Sequence, residues 1–576
     1  SLDIDFRKQE GIFYSPNVLT EYIVNQVFKE YFYKKENIFE ALQKVKILDP
    51  SCGTGAFLLQ SFDYLSNFYQ NHFPNIQNPK KWIVENNLYG VDIDENAVKI
   101  CQNRLFEKSN FPCLNIKIGN SLIDDKTVDA KAFDWQKEFP KTVGGFDLIV
   151  GNPPYVSTKM IADQWKKYFS ANYQVAKDQF DLYALFIEKA IFLLKEGGNH
   201  CFIVPDSLLG RSNFKEIRKK LLHETNLKKI FHLNNVFEEA VVSSCVYFCQ
   251  KTEEEPTLIY TKTQDLLSWQ NKNLQTYTIE KTKIKRNGHK ILAIHNKEYD
   301  LLYKICNHSE LGLITYSWRG EEIGKKSDIL AQKKESTNVG ILTGENVGRY
   351  VFKNENNFIN KENITKNLSN YEKNKIVVRQ LGDFISANLD TEGHISTQAV
   401  YNIFPEDPNY DLLYILALLN SKLIHFVFQR LYAEKKAFPR ILLENLRDLP
   451  IPNISLEDQK PFADKAKKLV EKNKDLQKLL AKFLKLIQTE FKISKITQKI
   501  ENWHKLNFVN FIEELKKQKL AISKKQIFDF MDIFEEKRAD SQSLLSEIDF
   551  LEKELNLLIY NLYNLSAEEI KMVENE

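Results

Sequence analysis

The sequence has 576 residues, of which 43% are hydrophobic and 12% aromatic, a length and composition that suit several folded domains and exclude a mainly disordered chain. A near balance of 80 Lys and Arg against 77 Asp and Glu gives a formal net charge of +3, so any nucleic acid must bind to a local patch of the surface. Seven scattered cysteines favour a reducing cytoplasm over a disulfide framework, and no apolar run reaches the roughly 18 residues of a transmembrane helix.

The chain divides into regions that differ in their pattern of apolar and polar residues. Residues 1–255 alternate short apolar runs with helical stretches, the pattern of a doubly wound α/β sheet. Residues 256–310 are expected to form a connector to a mixed α/β region at 311–452, which ends at Pro450-Ile451-Pro452 because proline breaks regular structure. Helical periodicity then predicts a helical C-terminal region at 453–576.

A ligand-binding turn is predicted where the first strand ends. Val45-Lys46-Ile47-Leu48 has the character of a buried strand, and Asp49-Pro50-Ser51-Cys52-Gly53-Thr54-Gly55 follows before a helix that begins at Ala56. Glycines at 53 and 55 let a ligand approach the backbone at the sheet edge where α/β proteins bind ligands. The pattern is neither the G-x-G-x-x-G of dinucleotide enzymes nor a phosphate loop. By itself, it is equally compatible with an ordinary turn.

Two further sites follow at predicted strand ends. Leu88-Tyr89-Gly90-Val91 runs into Asp92-Ile93-Asp94, and a carboxylate there is placed to bind both hydroxyls of a cofactor ribose. The alternative is that Asp92 or Asp94 caps the helix that begins at Glu95. Asn120, in Gly119-Asn120-Ser121, is placed to recognise an adenine amino group, although alone it indicates only a turn.

The most specific pattern is Asn152-Pro153-Pro154-Tyr155, directly after the predicted strand Phe146–Gly151. Two prolines fix the backbone, so that the Asn152 side-chain oxygen and the Pro153 carbonyl can accept hydrogen bonds from one NH2 group. Such bonds favour a pyramidal nitrogen whose lone pair can attack an electrophilic methyl. Tyr155 offers a face for base stacking, worth roughly 1–3 kcal/mol. A turn beside a packed tyrosine is the alternative, and the preceding sites argue against it.

Together these motifs resemble those of S-adenosylmethionine-dependent N6-adenine DNA methyltransferases of the TaqI type and the methyltransferase-specificity part of type II restriction–modification enzymes. The resemblance covers residues 7 to about 452. It implies a Rossmann-like class I methyltransferase domain, then a target-recognition domain and a helical C-terminal region, with S-adenosyl-L-methionine as the cofactor. The cofactor contacts that it implies are Tyr14, Ser15, Pro16, Asp49, Ser51, Cys52, Gly53, Gly55, Asp92, Ile93, Asn120, Ser121 and Asn152. Two positions depart from the family, which more often has Thr at 15 and Asp at 120.

The resemblance also implies a reaction. An adenine flipped out of duplex DNA would be methylated at N6, with Asn152, Pro153, Pro154 and Tyr155 as the catalytic motif. In the family a second aromatic residue closes over the other face of the base. Phe214 occupies the matching position. The alternative interpretation is that Phe214 is a buried phenylalanine of a helix.

Three alternative functions are compatible with some of these motifs. A protein-glutamine methyltransferase has a similar pocket but is smaller and lacks a large C-terminal region. An RNA adenine methyltransferase is the next alternative. A catalytically silent DNA-recognition subunit would have degraded cofactor motifs, whereas Asp49, Gly53, Gly55 and Asn152 are all present.

The C-terminal half contains candidate DNA contacts. Residues 340–347 and 415–452 resemble parts of TaqI-type recognition domains. Arg suits guanine and Gln suits adenine in the major groove, although an ordinary surface position is the alternative for each; the candidates are Arg319, Arg379, Gln380, Gln398 and Lys436. Segment 461–500 has eleven lysines and four acidic residues, which suits either the DNA backbone or the solvated face of a helical hairpin.

The expected partner is double-stranded DNA, and no membrane partner is expected. No bound metal is expected either, since Cys245 and Cys249 lack a second cysteine pair. We expect a monomer in the bacterial cytoplasm, associated with the nucleoid through DNA. The cofactor motif begins within the first dozen residues, after Ser1. A nuclease is therefore expected only as a domain or subunit outside this chain, and the chain is not expected to cut DNA by itself.

Overall fold

The computed structural model forms two compact units, residues 1–300 and residues 301–576. The residues that it describes are 17–33, 35–177, 179–233, 243–263, 274–323, 329–331, 333–335, 337–353, 357–382, 384–432, 440–493, 496–518 and 522–575. Among these residues no single helix is long and apolar enough to cross a membrane, and helices Leu412–Leu419 and Lys422–Tyr432 meet that test only as a pair bent by 60°.

A nine-stranded sheet organises the first unit. Its strands are β1 (Ile47–Asp49), β2 (Leu88–Asp92), β3 (Ile116–Ile118), β4 (Phe146–Gly151), β5 (Leu194–Pro205), β6 (Asn226–Leu233), β7 (Ser244–Gln250), β8 (Thr257–Thr263) and β9 (Gln275–Glu280), in the order β3-β2-β1-β4-β5-β7-β6-β8-β9. Strands β1 to β5 are parallel, and β7 runs antiparallel between β5 and β6. The strand order reverses at β1 and β4, so their carboxyl ends flank the switch point where such sheets bind ligands.

Helices cover this sheet and bury its strands. They are α1 (Asn17–Tyr33), α2 (Ile38–Lys44), α3 (Ala56–His72), α4 (Pro79–Trp82), α5 (Glu95–Ser109), α6 (Trp135–Glu138), α7 (Asp163–Asn172), α8 (Leu182–Leu193), α9 (Ser207–Gly210), α10 (Lys215–His223) and α11 (Lys281–Arg286). The next helix, α12 (Asn296–Cys306), includes the boundary between the two units in the sequence. Ile23 of α1 and Leu58 of α3 share one apolar core with Ile47 and Val150 of the sheet. Each such side chain contributes roughly 1.5–3 kcal/mol through burial, so this core fixes the strand ends that carry the site.

Residues 257–263 and 275–280 belong to the sheet, and the prediction that 256–310 is a connector is wrong for them. β8 pairs parallel with β6, and β9 pairs antiparallel with β8. Leu258 and Tyr260 are buried, whereas Thr257 and Ile259, which alternate with them, are exposed. This alternation is typical of a strand with one covered face.

Two small sheets shape the first part of the second unit. They have the orders β11-β20-β17-β18 and β12-β16-β13-β19, with two short pairs, β10-β21 and β14-β15, beside them. The strands are β10 (Ser309–Glu310), β11 (Thr315–Arg319), β12 (Leu330–Ala331), β13 (Asn338–Leu342), β14 (Val347–Gly348), β15 (Val351–Phe352), β16 (Phe358–Asn360), β17 (Lys375–Arg379), β18 (Ala387–Asp390), β19 (Ile395–Ser396), β20 (Val400–Pro405) and β21 (Pro450–Ile451). This is the mixed region expected from the sequence.

The rest of the second unit is helical, as predicted. Its helices are α13 (Leu311–Ile314), α14 (Leu368–Tyr371), α15 (Leu412–Leu419), α16 (Lys422–Tyr432), α17 (Leu443–Arg447), α18 (Leu456–Phe491), α19 (Gln498–Glu501), α20 (Phe508–Lys516), α21 (Lys524–Leu562) and α22 (Ala567–Glu574). Ion pairs join α18 to α21, with Lys465 at 2.6 Å from Glu554 and Lys472 at 2.5 Å from Glu547. The later lysine of α18 pairs with the earlier glutamate of α21, so the two long helices are antiparallel.

Candidate active site

The loop after β1 has the backbone conformation that a close ligand requires. Gly53 and Gly55 have φ values of +51° and +89°, a left-handed region that favours glycine. A Cβ at Gly55 would lie 2.5 Å from the Sγ of Cys101, so a side chain does not fit there. Gly55 is also the N-cap of α3 and provides no side-chain cap, which leaves the positive end of the helix facing the loop.

Asp49, the last residue of β1, is a buried carboxyl group without a cationic partner in the described part of the chain. Its side chain is 1% exposed, and its Oδ1 accepts a 3.1 Å hydrogen bond from the Ser51 amide. Burial raises the pKa of Asp49 to about 8, although the Ser51 hydrogen bond opposes the rise. The Ser51 Oγ is buried and has no hydrogen-bond partner among the described residues. A ligand with a cationic group would satisfy both side chains.

Asp92, the last residue of β2, and Asp94 have separate roles. Asp94 caps α5, because its Oδ1 accepts hydrogen bonds from the Asn96 and Ala97 amides. Asp92 instead accepts a 2.7 Å hydrogen bond from the Gly53 amide and a 2.9 Å bond from the Asp94 amide. Burial raises the pKa of Asp92, and these amides oppose the rise. The capping alternative therefore applies to Asp94, and Asp92 remains available beside the loop.

An apolar surface flanks Asp92. Ile93 is 40% exposed and Ile118, which pairs with Asp92 across β2 and β3, is 42% exposed. Two exposed isoleucines beside a carboxylate suit a base plane next to a ribose. Sequence reasoning missed Ile118, although its place at the end of the strand beside β2 was the available signal.

The predicted contacts Cys52, Asn120 and Ser121 are turned into the protein. The Cys52 amide donates to the Val91 carbonyl at 3.0 Å, and Ser121 Oγ donates to the Pro50 carbonyl at 2.6 Å. The Asn120 Nδ2 donates to Asp129 at 2.7 Å, while its Oδ1 accepts from the Leu122 amide at 3.1 Å. These residues hold the loops together, and a contact of Asn120 with adenine stays a prediction.

The Asn-Pro-Pro-Tyr motif begins beside the loop after β1. Gly151 ends β4, and a Cβ there would lie 2.7 Å from the Asp49 Oδ1, so Asn152 follows a residue in direct contact with Asp49. Asn152, Pro154 and Tyr155 are half-buried, and Pro153 is buried. The parallel pairing of β1 with β4 brings the two motifs together.

Tyr155 is held from two sides. Its hydroxyl donates a 3.3 Å hydrogen bond to the Ile203 carbonyl of β5. Its ring meets Tyr183 edge-on, with centroids 6.2 Å apart and planes at 78°. Burial raises the pKa of Tyr155 far above its usual range, so the phenol stays neutral and does not act as a base near neutral pH.

The structure does not support Phe214 as the second stacking ring. Phe214 is 1% exposed and lies in the turn Ser212–Phe214. Its ring packs against Tyr183, with centroids 5.1 Å apart at 40°. Phe214 and Tyr155 thus both contact Tyr183, and the buried Phe214 offers no free face to a base. The alternative of a buried phenylalanine is the correct one for this conformation.

The candidate DNA readers are placed differently from one another. Arg319, Arg379 and Gln398 lie at one end of the sheet β11-β20-β17-β18, as the pairing of Arg319 with Tyr401 and of Arg379 with Val400 requires. Gln380 is 5% exposed and donates to the Tyr401 hydroxyl at 2.6 Å, so it is not a base reader in this conformation. Tyr14, Ser15, Pro16 and Lys436 lie outside the described residues, and their roles stay predictions.

Three family models match parts of the chain. Residues 86–237 match the Eco57I restriction-modification methylase, residues 339–451 match the TaqI-like C-terminal specificity domain, and residues 455–559 match a domain of unknown function. The first match includes Asp92 and the Asn-Pro-Pro-Tyr motif, and the second includes Arg379 and Gln398. The resemblance predicted from the sequence is therefore confirmed in both halves of the chain.

Two curated relatives each match part of this chain. The type II restriction enzyme and methyltransferase RM.Eco57I of Escherichia coli is 30% identical over 294 residues, which are 44% of this chain and 29% of the relative. The putative type II restriction enzyme and methyltransferase RM.MjaORFECS2P of Methanocaldococcus jannaschii is 29% identical over 346 residues, 56% of this chain and 28% of the relative. The matched part is thus less than a third of either relative.

Solved structures confirm the fold. The type IIL restriction-modification enzyme MmeI, in complex with DNA, has a TM-score of 0.55 at 12% identity and matches 94% of this chain and 80% of its own. The DrdV–DNA complex has a TM-score of 0.53 at 13% identity and matches 82% of this chain and 58% of its own. The Rossmann-like α/β domain, the mixed second region and the helical C-terminal region are all part of this fold.

Proposed function

We propose that this chain is a site-specific DNA methyltransferase of a restriction–modification system, which transfers a methyl group from S-adenosylmethionine to N6 of an adenine flipped out of duplex DNA. The observation that carries the proposal is the contact of Gly151 with Asp49. It joins a motif that can hold a planar amine to a loop that can hold a cationic cofactor. The named relatives are restriction–modification methyltransferases, which supports DNA over RNA or protein as the substrate.

The residues present fit the cofactor. The buried carboxyl group of Asp49 and the Ser51 hydroxyl suit a cationic amino-acid portion, Asp92 suits the ribose hydroxyls, and Ile93 with Ile118 suits the adenine plane. When bound, S-adenosylmethionine supplies an electrophilic methyl group on a positively charged sulfur.

The chain's own contribution to the reaction is positioning. The Asn152 side-chain oxygen and the Pro153 carbonyl accept hydrogen bonds from the two amine hydrogens of the target adenine and aim its nitrogen at the loop after β1. Tyr155 stacks on the flipped base and offsets part of the few kcal/mol needed to extrude it. Holding both reactants in line supplies most of the rate. We further propose that the chain acts as a monomer in the cytoplasm, with any nuclease on a separate domain or subunit.

The test is methyl transfer to three substrates in parallel. Purified protein and tritiated S-adenosylmethionine are incubated with unmethylated duplex DNA, RNA and a protein extract, and the DNA is sequenced for N6-methyladenine. We expect label in duplex DNA at adenines of one short sequence. Label confined to RNA or protein, or methylated cytosine in place of adenine, would contradict the proposal.

A matched pair of variants separates binding from transfer. Asn152→Ala should abolish transfer while S-adenosylmethionine still binds, as measured by calorimetry. Asn172→Ala, on the exposed face of α7, should leave both unchanged. Full methylation of DNA by the Asn152→Ala protein would refute the assignment of the motif.

A further inference from the structure

One end of the sheet β11-β20-β17-β18 collects side chains that suit DNA bases. β11 and β17 end there, β20 begins there, and the strand registers place Arg319 opposite Tyr401 and Arg379 opposite Val400. Arg319 Nε donates a 2.8 Å hydrogen bond to the Gln398 carbonyl. We call this surface the arginine edge; it consists of Arg319, Arg379, Leu381, Phe384, Gln398 and Arg440.

Arg379 is the central side chain of the arginine edge. It is half-buried, and no carboxylate binds its guanidinium in the described part of the chain. Its Cγ is 4.0 Å from the position of a Cβ at Gly344, and its Nε is 3.9 Å from that of a Cβ at Gly382. Two glycines thus leave room around the arginine, while the next residue, Gln380, points to the opposite face and bonds to Tyr401.

The exposed residue Phe384 follows Arg379 in the chain, and a Cβ at Gly382 would lie 3.5 Å from the Phe384 carbonyl oxygen and 3.9 Å from the Arg379 Nε. Phe384 is 51% exposed, and its ring stacks on His425 with centroids 3.8 Å apart and planes at 24°. Leu381 is also exposed, and its backbone bridges to that of Arg440. Large exposed apolar side chains between arginines are typical of surfaces that bind a partner.

The chemistry of the arginine edge selects the partner. Three arginines give it positive charge, and a guanidinium can donate two parallel hydrogen bonds to O6 and N7 of guanine. Phe384 and Leu381 can contact a thymine methyl group or a base face. Gln398 is the least suited member, because its Oε1 is buried and has no partner among the described residues.

We propose that the arginine edge reads the base sequence of the DNA target, with Arg379 bonded to a guanine and Phe384 against the neighbouring base. This inference rests on the proposed function, since it assumes that duplex DNA is the substrate. It assigns sequence readout to one end of one sheet, whose strands β17, β18 and β20 lie within residues 339–451.

The test uses a library of DNA duplexes in which the base at each position near the target adenine is varied. The sequences that each variant methylates are compared with those that wild type methylates. Wild type defines the preferred sequence. Arg379→Ala should still methylate DNA but lose roughly 10- to 100-fold in discrimination at a single guanine position. Arg379→Gln should shift the preference there from guanine towards adenine. Phe384→Ala should reduce discrimination at the adjacent position.

The control variants remove the same two residue types at positions outside the arginine edge. Arg538→Ala removes an arginine that pairs with Glu535 on α21, and Phe550→Ala removes an exposed phenylalanine of the same helix; both should keep the wild-type preference. Thermal unfolding of every variant verifies that it is folded, and Arg379→Gln provides the readout if Arg379→Ala is unstable.

Two results would overturn the inference. One is an unchanged sequence preference in Arg379→Ala and Arg379→Gln. The other is an equal loss of affinity for all sequences with a smaller salt dependence, which indicates a phosphate contact. A wild-type protein that methylates no duplex DNA would instead contradict the proposed function, so the two failures are distinguishable.

Discussion

The Gly53 amide donates a 2.7 Å hydrogen bond to Asp92 Oδ2. This bond ties the loop after β1 to the end of β2, so the carboxylate predicted to bind ribose also orients the glycine turn beside it. The Asp94 amide occupies Oδ1 of the same carboxylate at 2.9 Å. We therefore expect Asp92 to link cofactor affinity to the conformation of the loop.

Asp92→Ala should weaken the binding of S-adenosylmethionine by at least tenfold, because it removes the ribose acceptor and releases the Gly53 amide. Asp94→Ala is the matched control. It removes the cap of α5, which costs about 1 kcal/mol of stability, and should change cofactor affinity less than threefold. Calorimetric titration and urea unfolding of both proteins measure the two effects. Equal losses of affinity would show that the two carboxylates act together.

Replacing the two loop glycines by alanine should have unequal effects. At Gly53 an added Cβ meets nothing within 4 Å, so Gly53→Ala carries only the backbone strain of a left-handed φ, about 1–2 kcal/mol. At Gly55 the Cβ would lie 2.5 Å from Cys101 Sγ, and Gly55→Ala should be destabilised by at least another 1 kcal/mol. Urea unfolding without cofactor tests the order, and a larger effect at Gly53 would contradict it.

Some of this site was predictable because strand ends have simple sequence signals. The apolar runs before Asp49, Asp92 and Asn152 indicated buried parallel strands, and parallel strands bring their carboxyl ends to one edge. Phe214 was not predictable, since a buried and a base-facing phenylalanine have the same local sequence. Arg379 and Gln380 could have been separated by the alternation of side chains along a strand.

The titration of Asp49 should make stability and cofactor affinity depend on pH. Its pKa is raised to about 8 in the fold, against about 3.9 in an unfolded chain. The folded state therefore binds the extra proton between about pH 4 and pH 8, and the free energy of unfolding falls as pH rises through that window. Above about pH 8 the dependence ends, because Asp49 is ionised in both states.

Comparison with Asp49→Asn isolates this group. Urea unfolding without cofactor at several pH values from about 5 to 8 should show wild type losing stability relative to Asp49→Asn. The affinity of wild type for the cationic cofactor should rise over the same range, by up to about tenfold per pH unit, and that of Asp49→Asn should not. Parallel curves for the two proteins would exclude Asp49 as the titrating group.

Tyr155 should act through its ring rather than its hydroxyl. Tyr155→Phe removes the hydroxyl and its hydrogen bonds, including the 3.3 Å bond to the Ile203 carbonyl, at about 1 kcal/mol for each bond lost, and should keep most activity. Tyr155→Ala removes the stacking face and should lower kcat/KM by roughly 10- to 100-fold. The fluorescence of 2-aminopurine at the target position reports base extrusion in each variant. Equal losses for both variants would assign the role to the hydroxyl instead.

Phe214 should contribute to stability and not to base binding. Its ring is buried against Tyr183, so Phe214→Ala removes core contacts worth about 3–5 kcal/mol, whereas Phe214→Leu keeps most of the volume and should lose less than about 1.5 kcal/mol. The activity and 2-aminopurine signal of Phe214→Leu, measured below its unfolding temperature, should match wild type, because Tyr183 still supports Tyr155. A Phe214→Leu protein with wild-type stability but a lost base-flipping signal would restore Phe214 as a stacking residue and require a different conformation of Ser212–Phe214 on DNA.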